Sequence, residues 1–168
     1  LFWWQDAANR AWMQGATYRS ALAGGDVMAS YGIGEVIDSK HASWAVGDLV
    51  MADVGWQEYA VVQGNLVTAV PEHEGPLSHG LSLLGVAGLT AYHGLINVAG
   101  IHAGETLLVS AAAGSVGSIV GQIGRIKGAR VIGVAGGDEK CRWVESELGI
   151  DACINYKSTE QSLRDQLQ

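Results

Sequence analysis

The residues best suited to hold a ligand are Gly114-Ser115-Val116-Gly117, preceded by Ala111-Ala112-Ala113. Small side chains let a backbone turn tightly and let a ligand come close to its amides. Before them, Thr106–Ser110 is short, apolar and β-branched, as a buried strand would be. After them, Val116, Ile119, Val120, Ile123 and Ile126 repeat on one face of a helix. The first amides of a helix lack partners, and its start carries a partial positive charge. A strand, a small-residue turn and a helix start can therefore seat a pyrophosphate, as in a dinucleotide-binding βα unit. Gly117, Gly121, Gly124 and Gly128 form a second stripe along the same segment. Each interior glycine costs about 1 kcal/mol relative to alanine, a cost that close packing of helix on strand would offset. A glycine-rich core helix of an unrelated α/β protein is the plainer reading, and the strands expected on both sides weigh against it.

The ribose end offers a second test. Strands are expected at Arg130–Val134 and Ala152–Asn155, with a helix from about Asp138 to Leu148 between them. A site selective for NAD places Asp or Glu at the end of the second strand. This chain has Val134-Ala135-Gly136-Gly137 there, which leaves room for a 2′-phosphate, and Lys140 follows as a countercharge. A charge-assisted contact of that kind is worth ~1.5–3 kcal/mol. Asp138 fits better as the helix N-cap than as a ribose acceptor. Tyr156, just past the third strand, lies at the carboxyl ends of the strands, where open α/β sheets bind ligands. The expected cofactor is NADPH rather than NADH.

The elements that must position these groups are read from pattern. Residues 1 to about 30 carry little pattern, and from Tyr31 to residue 76 the chain reads as all-β: short strands at Gly34–Asp38, Asp48–Ala52, Gly55–Val62 and Leu66–Val70 alternate with turn residues, as in a small antiparallel barrel or sandwich. A helical turn is expected near Asn9–Met13. Pro71-Glu-His-Glu-Gly-Pro76 marks a change of character. Residues 77–168 then read as helices at Ser78–Leu84 and Gly88–Val98, the latter presenting Leu89, Tyr92, Leu95 and Ile96, followed by β-α-β-α-β and a polar helix from Thr159. That order gives the first half of a doubly wound parallel sheet, whose first strand would normally lie mid-sheet with partners on both sides. The bare edge, the apolar opening Leu1-Phe2-Trp3-Trp4 and the absence of an initial Met lead to the expectation that the chain is an internal piece of a longer protein.

Composition excludes several classes. The 168 residues carry 10 Lys+Arg against 17 Asp+Glu, a net charge of −7, which disfavours a nucleic-acid or anionic-membrane surface. Hydrophobic residues make up 48%, yet no apolar run approaches the ~20 residues of a membrane span. Cys141 and Cys153 lack metal-ligand spacing, and one possible pair is no disulfide framework. A reducing, cytoplasmic setting is the expectation, with no signal peptide visible.

These residues together resemble the medium-chain dehydrogenase/reductase superfamily, and more closely its zinc-independent branch of prostaglandin reductases (leukotriene B4 12-hydroxydehydrogenases) and alkenal double-bond reductases. The resemblance is densest in Gly88-Leu-Thr-Ala-Tyr-His-Gly94, Ala111-Ala-Ala-Gly-Ser-Val-Gly117, Gly136-Gly-Asp-Glu-Lys-Cys141 and Ile154-Asn-Tyr-Lys157. It implies a GroES-like β-barrel portion over 1–76 and the first half of a Rossmann domain over 77–168. It further implies that Thr90, Gly114, Ser115, Val116, Gly117, Gly136, Lys140 and Tyr156 bind NADPH. The implied reaction is reduction of the C=C bond of an enal or enone by hydride transfer. A homodimer is often found in the family. Gly137 where relatives often have Ser, Ala87 where Pro is common, and Asp6-Ala7-Ala8-Asn9-Arg10 for an Asp-Pro start are departures.

No metal is expected. Zinc-dependent relatives carry a Cys ligand in the first domain, and no Cys here precedes Cys141. His41, His73, His79, His93 and His102 show no ligand spacing, and Glu72-His73-Glu74 reads as a solvated loop. Ser115 stands outside any G-x-S-x-G turn. A substrate carbonyl would then need hydrogen-bond donors; Tyr18, Tyr59 and Tyr92 are of the right type, and the catalytic residues stay unassigned. The alternatives are a quinone oxidoreductase of the same superfamily and an NADPH-binding protein without turnover.

Overall fold

Two sheets of opposite kind carry the chain, in a computed structural model that describes residues 2–17, 19–158 and 163–166. The chain divides into two compact units, residues 1–85 and 86–168.

The first unit holds a four-stranded antiparallel sheet in the order β1 (Phe2–Trp3), β2 (Tyr31–Glu35), β3 (Leu49–Asp53), β4 (Thr68–Ala69). Helix α1 (Ala7–Gln14) starts at a reciprocal cap: the Asp6 carboxylate accepts from the helix backbone while Asn9 Oδ1 accepts from the Asp6 amide at 2.7 Å. The buried Asn9 also donates to the Ala29 carbonyl, and the buried Ser30 hydroxyl lies 2.7 Å from the Trp4 carbonyl. Trp12, Ile33, Ala52 and Leu81 fill the interior. Residues 77–85 go with this unit, because Gly80 leaves space against Ile33, Val70 and Met51 that a Cβ would take up.

Two strand expectations need correction. The stretch Gly55–Val62 is irregular: Gly55 turns with φ +65°, Tyr59 and Val61 face solvent, and no described strand runs beside it to complete a ladder. At 66–70 a 3₁₀ turn (Gly64–Leu66) takes up the start, leaving only the two residues of β4. Strand β2 also begins three residues earlier than expected, where Tyr31 pairs with Asp53.

The second unit is built on a parallel sheet in the order β5 (Thr106–Ser110), β6 (Arg130–Ala135), β7 (Ala152–Asn155). Helix α3 (Ser115–Ile126) links β5 to β6, and α4 (Asp138–Ser146) links β6 to β7. Val109, Ala112, Val131, Val144 and Ile150 form the core, with Val131 and Val144 fully buried. The glycine stripe explains how low α3 sits. A Cβ at Gly117 would run into the Ala111 carbonyl, one at Gly121 into Ile150, and one at Gly124 into Leu107. Gly128 lies past the helix, at φ +81°.

Helix α2 (Val86–Tyr92) continues into π-turns over His93–Ala99 and stops at Gly100, φ +64°. Its buried face is Ala87, Gly88, Ala91 and Leu95, whereas Leu89 and Tyr92 are 66% and 54% exposed. The expected apolar face was drawn from bulk, but small residues are what allow α2 to pack closely on α3. The wider turns add a residue and rotate the side chains beyond them. Of the polar helix expected from Thr159, residues 159–162 lie outside those described, and α5 spans Leu163–Gln166. Among the described residues, no helix is long and apolar enough to cross a membrane.

Candidate nucleotide-binding site

Two neighbouring corners at the carboxyl ends of the parallel strands collect most of the expected site residues. The first is the turn from β5 into α3. Ala111 adopts φ +50°, the left-handed region where a non-glycine residue is strained. That conformation lets the Ala111 carbonyl accept from the Gly114 amide at 2.8 Å, while the Ala112 amide donates to Val134 O on β6. Gly114 is the N-cap of α3, and its carbonyl accepts from the Ser118 amide. The amides of Ser115, Val116 and Gly117 precede the first intrahelical donor and have no acceptor within the helix. They border an open cleft of about 460 Å³ between residues 108–111 and the first turn of α3, with Val120 on its side. A Cβ at Gly114 would sit 3.0 Å from the Ala111 carbonyl, so glycine keeps this turn tight.

The second corner joins the ends of β6 and β7. Here Asn155 is a node that the sequence contained within a motif but gave no role. Its Oδ1 accepts from the Gly137 amide at 2.8 Å and the Lys157 amide at 2.9 Å, and its Nδ2 donates to Asp138 Oδ1 at 2.7 Å. One side chain thus holds the loop leaving β6 against the loop leaving β7. The signal in the sequence was a short amide at a strand end, able to donate and accept at once. Gly136 lies under Tyr156: a Cβ there would be 2.8 Å from the phenol oxygen and 3.1 Å from Lys157 Cε. Lys157, with Nζ 6.0 Å from the Tyr156 ring centroid, joins this corner unforeseen.

Asp138 corrects its expected role. The N-cap of α4 is Gly137, whose φ of +109° suits glycine, and Asp138 is the first helical residue. Its carboxylate is taken by Asn155. Lys140 is exposed in the first turn of α4, where the helix dipole disfavours a cation by about 0.3–1 kcal/mol. Asp138 and Glu139 in the same turn offset that cost.

Thr90 is exposed on α2. Tyr59 belongs to the irregular part of the first unit, Tyr92 ends α2, and Tyr18 lies outside the described residues. Among the described residues, no three His, Cys, Asp or Glu side chains gather as a metal group.

A three-stranded parallel sheet with a small-residue turn before α3, following an antiparallel sheet unit in the chain, defines the first half of a Rossmann domain preceded by a GroES-like portion. Residues 1–70 match the family described as the N-terminal domain of oxidoreductase. The chain is 43% identical over 149 residues to prostaglandin reductase 1 of Mus musculus, covering 85% of this chain and 45% of that protein. It is 42% identical over 136 residues to the NADPH-dependent curcumin reductase of Escherichia coli (strain K12), covering 81% and 39%. The crystal structure of CurA from Vibrio vulnificus in complex with NADPH superposes with a TM-score of 0.88 at 38% identity, over 99% of this chain and 49% of that one. Over its whole length the chain is similar to these oxidoreductases. It spans about half the length of the relatives it matches.

Proposed function

We propose that the chain is the nucleotide-binding and barrel-side portion of an NADPH-dependent reductase that saturates the C=C bond of small enals and enones without zinc. The observation that carries this reading is the pair of corners: bare amides at Ser115, Val116 and Gly117 beside the end of β5, and Gly136, Lys140 and Tyr156 beyond β6 and β7. The residues fit the nucleotide. Gly114 and Gly136 leave room that a Cβ would take, the amides suit a pyrophosphate, and no carboxylate ends β6 to repel a 2′-phosphate. NADPH, when bound, supplies a hydride.

The chain's own residues do the holding. The α3 amides and dipole neutralise the diphosphate, and the glycine stripe fixes their height above β5. Lys140 pairs with the 2′-phosphate, Tyr156 lines that pocket over Gly136, and Asn155 keeps the two loops together. Thr90 on α2 is assigned to the nucleotide by the family resemblance. Relatives named for prostaglandin and curcumin support an unsaturated carbonyl as substrate.

Two measurements test the reading. In a fluorescence titration, Lys140→Ala is expected to weaken NADPH binding about tenfold or more, as loss of a charge-assisted contact worth ~1.5–3 kcal/mol requires, and to leave NADH nearly unchanged. Equal loss for both nucleotides would remove Lys140 from its role. In the full-length protein, NADPH consumption with an enal should give the saturated aldehyde. A product that keeps its double bond would end the ene-reductase reading.

A further inference from the structure

The nucleotide reading leaves unused a pair of thiols on the far side of Asn155. Cys141 on α4 is buried, Cys153 on β7 is half-buried, and their sulfurs lie 2.9 Å apart. Both line a cleft with Asp138, Glu145 and Asn155. Helix and strand are already bracketed around them: Glu145 Oε1 accepts from the Cys153 amide at 2.7 Å, and Asp138 accepts from Asn155 two residues further along β7. The sulfurs need to approach by only about 1 Å to reach disulfide bonding distance. Little backbone movement separates the dithiol from its oxidised form.

We propose that Cys141 and Cys153 are a modification site at which a peroxide forms a reversible disulfide between α4 and β7. The Cys153 thiol donates its S–H to Cys141 Sγ, which leaves Cys141 as the sulfur free to react first. Burial, that S–H bond and the nearby Glu145 hold Cys153 protonated, its pKa pushed up to about 12. Cys141 thiolate therefore attacks one peroxide oxygen. The O–O bond breaks, the sulfur is oxidised by two electrons to a sulfenic acid, and hydroxide leaves to take up the proton that the thiol released. Cys153 sulfur then attacks Cys141 sulfur, the S–O bond breaks, and the Cys153 proton leaves with the departing oxygen as water. In sum, two thiols and one hydrogen peroxide give one disulfide and two waters. Such a bond in a reducing compartment would be transient and sensing in character.

The test uses hydrogen peroxide on the intact protein, followed by denaturing mass spectrometry and thiol alkylation. The expected result is loss of two hydrogens, a tryptic species joining the Cys141 and Cys153 peptides, and full reversal by dithiothreitol. With Cys153→Ser, dimedone should trap a sulfenic acid on Cys141. Thiols that remain alkylatable, separate oxidation of each sulfur to sulfinic acid without a joined peptide, or links between two chains would each overturn the proposal. None of these readouts depends on nucleotide binding.

Discussion

His73 shows how much one side chain can say once its neighbours are known. Its Nδ1 lies 2.7 Å from Pro71 O and its Nε2 3.1 Å from Pro76 O. Only a ring protonated on both nitrogens can donate to both carbonyls, so the bond to Pro71 first, and then that to Pro76, raises its pKa above 6.5. A raised folded-state value means the stabilisation is complete below the unfolded pKa and is lost as pH rises through the folded one. An NMR titration should therefore place the His73 midpoint above 6.5, and amide exchange within 71–76 should quicken as pH passes it. A midpoint at or below the free-histidine value would remove the clamp. Asn155 makes a second case. Asn155→Ala deletes acceptors for two amides and a donor to Asp138, and should cost about 1–3 kcal/mol in chemical denaturation. Neither role was legible in the sequence, because both depend on groups brought near only by the turn of the chain. Glu72-His73-Glu74 was readable as a solvated loop, and Glu72 and Glu74 are exposed while His73 is half-buried; the carbonyls facing its ring were not readable at all.

Among the elements, α3 was legible to within a residue and β5 and β7 in full, since apolar period and small-residue punctuation coincide there. Helix α2 was legible as a helix but not in its facing. Burial there goes to Ala87, Gly88 and Ala91, which hydrophobic bulk does not single out. The glycines of α3 allow a sharper test. Replacing an interior glycine by alanine ordinarily gains about 1 kcal/mol in helix propensity. At Gly117 the new methyl would strike the Ala111 carbonyl, a backbone atom that cannot rotate away. Overpacking of this kind costs ~1–3 kcal/mol, so Gly117→Ala should lower the melting temperature despite the better helix former. A rise would mean that the turn can relax.

For the molecule as a whole, the division into an antiparallel and a parallel unit was legible because strand spacing and β-α alternation are long-range patterns. The strand expected over Gly55–Val62 was not obtained, since alternation alone cannot supply a neighbouring strand. Among the described residues, strand β5 pairs with β6 on one side only, and Leu108 on it is 50% exposed. Open apolar edges recruit other strands. The 168-residue chain expressed alone is therefore expected to self-associate in sedimentation velocity, and Leu108→Lys should shift it toward monomer; a monodisperse parent would contradict this. The low seat of α3 has one more consequence. Gly124 stands nine residues after Ser115, about 13 Å along the axis at 1.5 Å per residue. A rigid rod resting on glycine contacts behaves as a lever, so a methyl added at Gly124 should tilt its far tip. Phosphate affinity would then serve as a remote gauge of how well the opposite end of the rod is bedded.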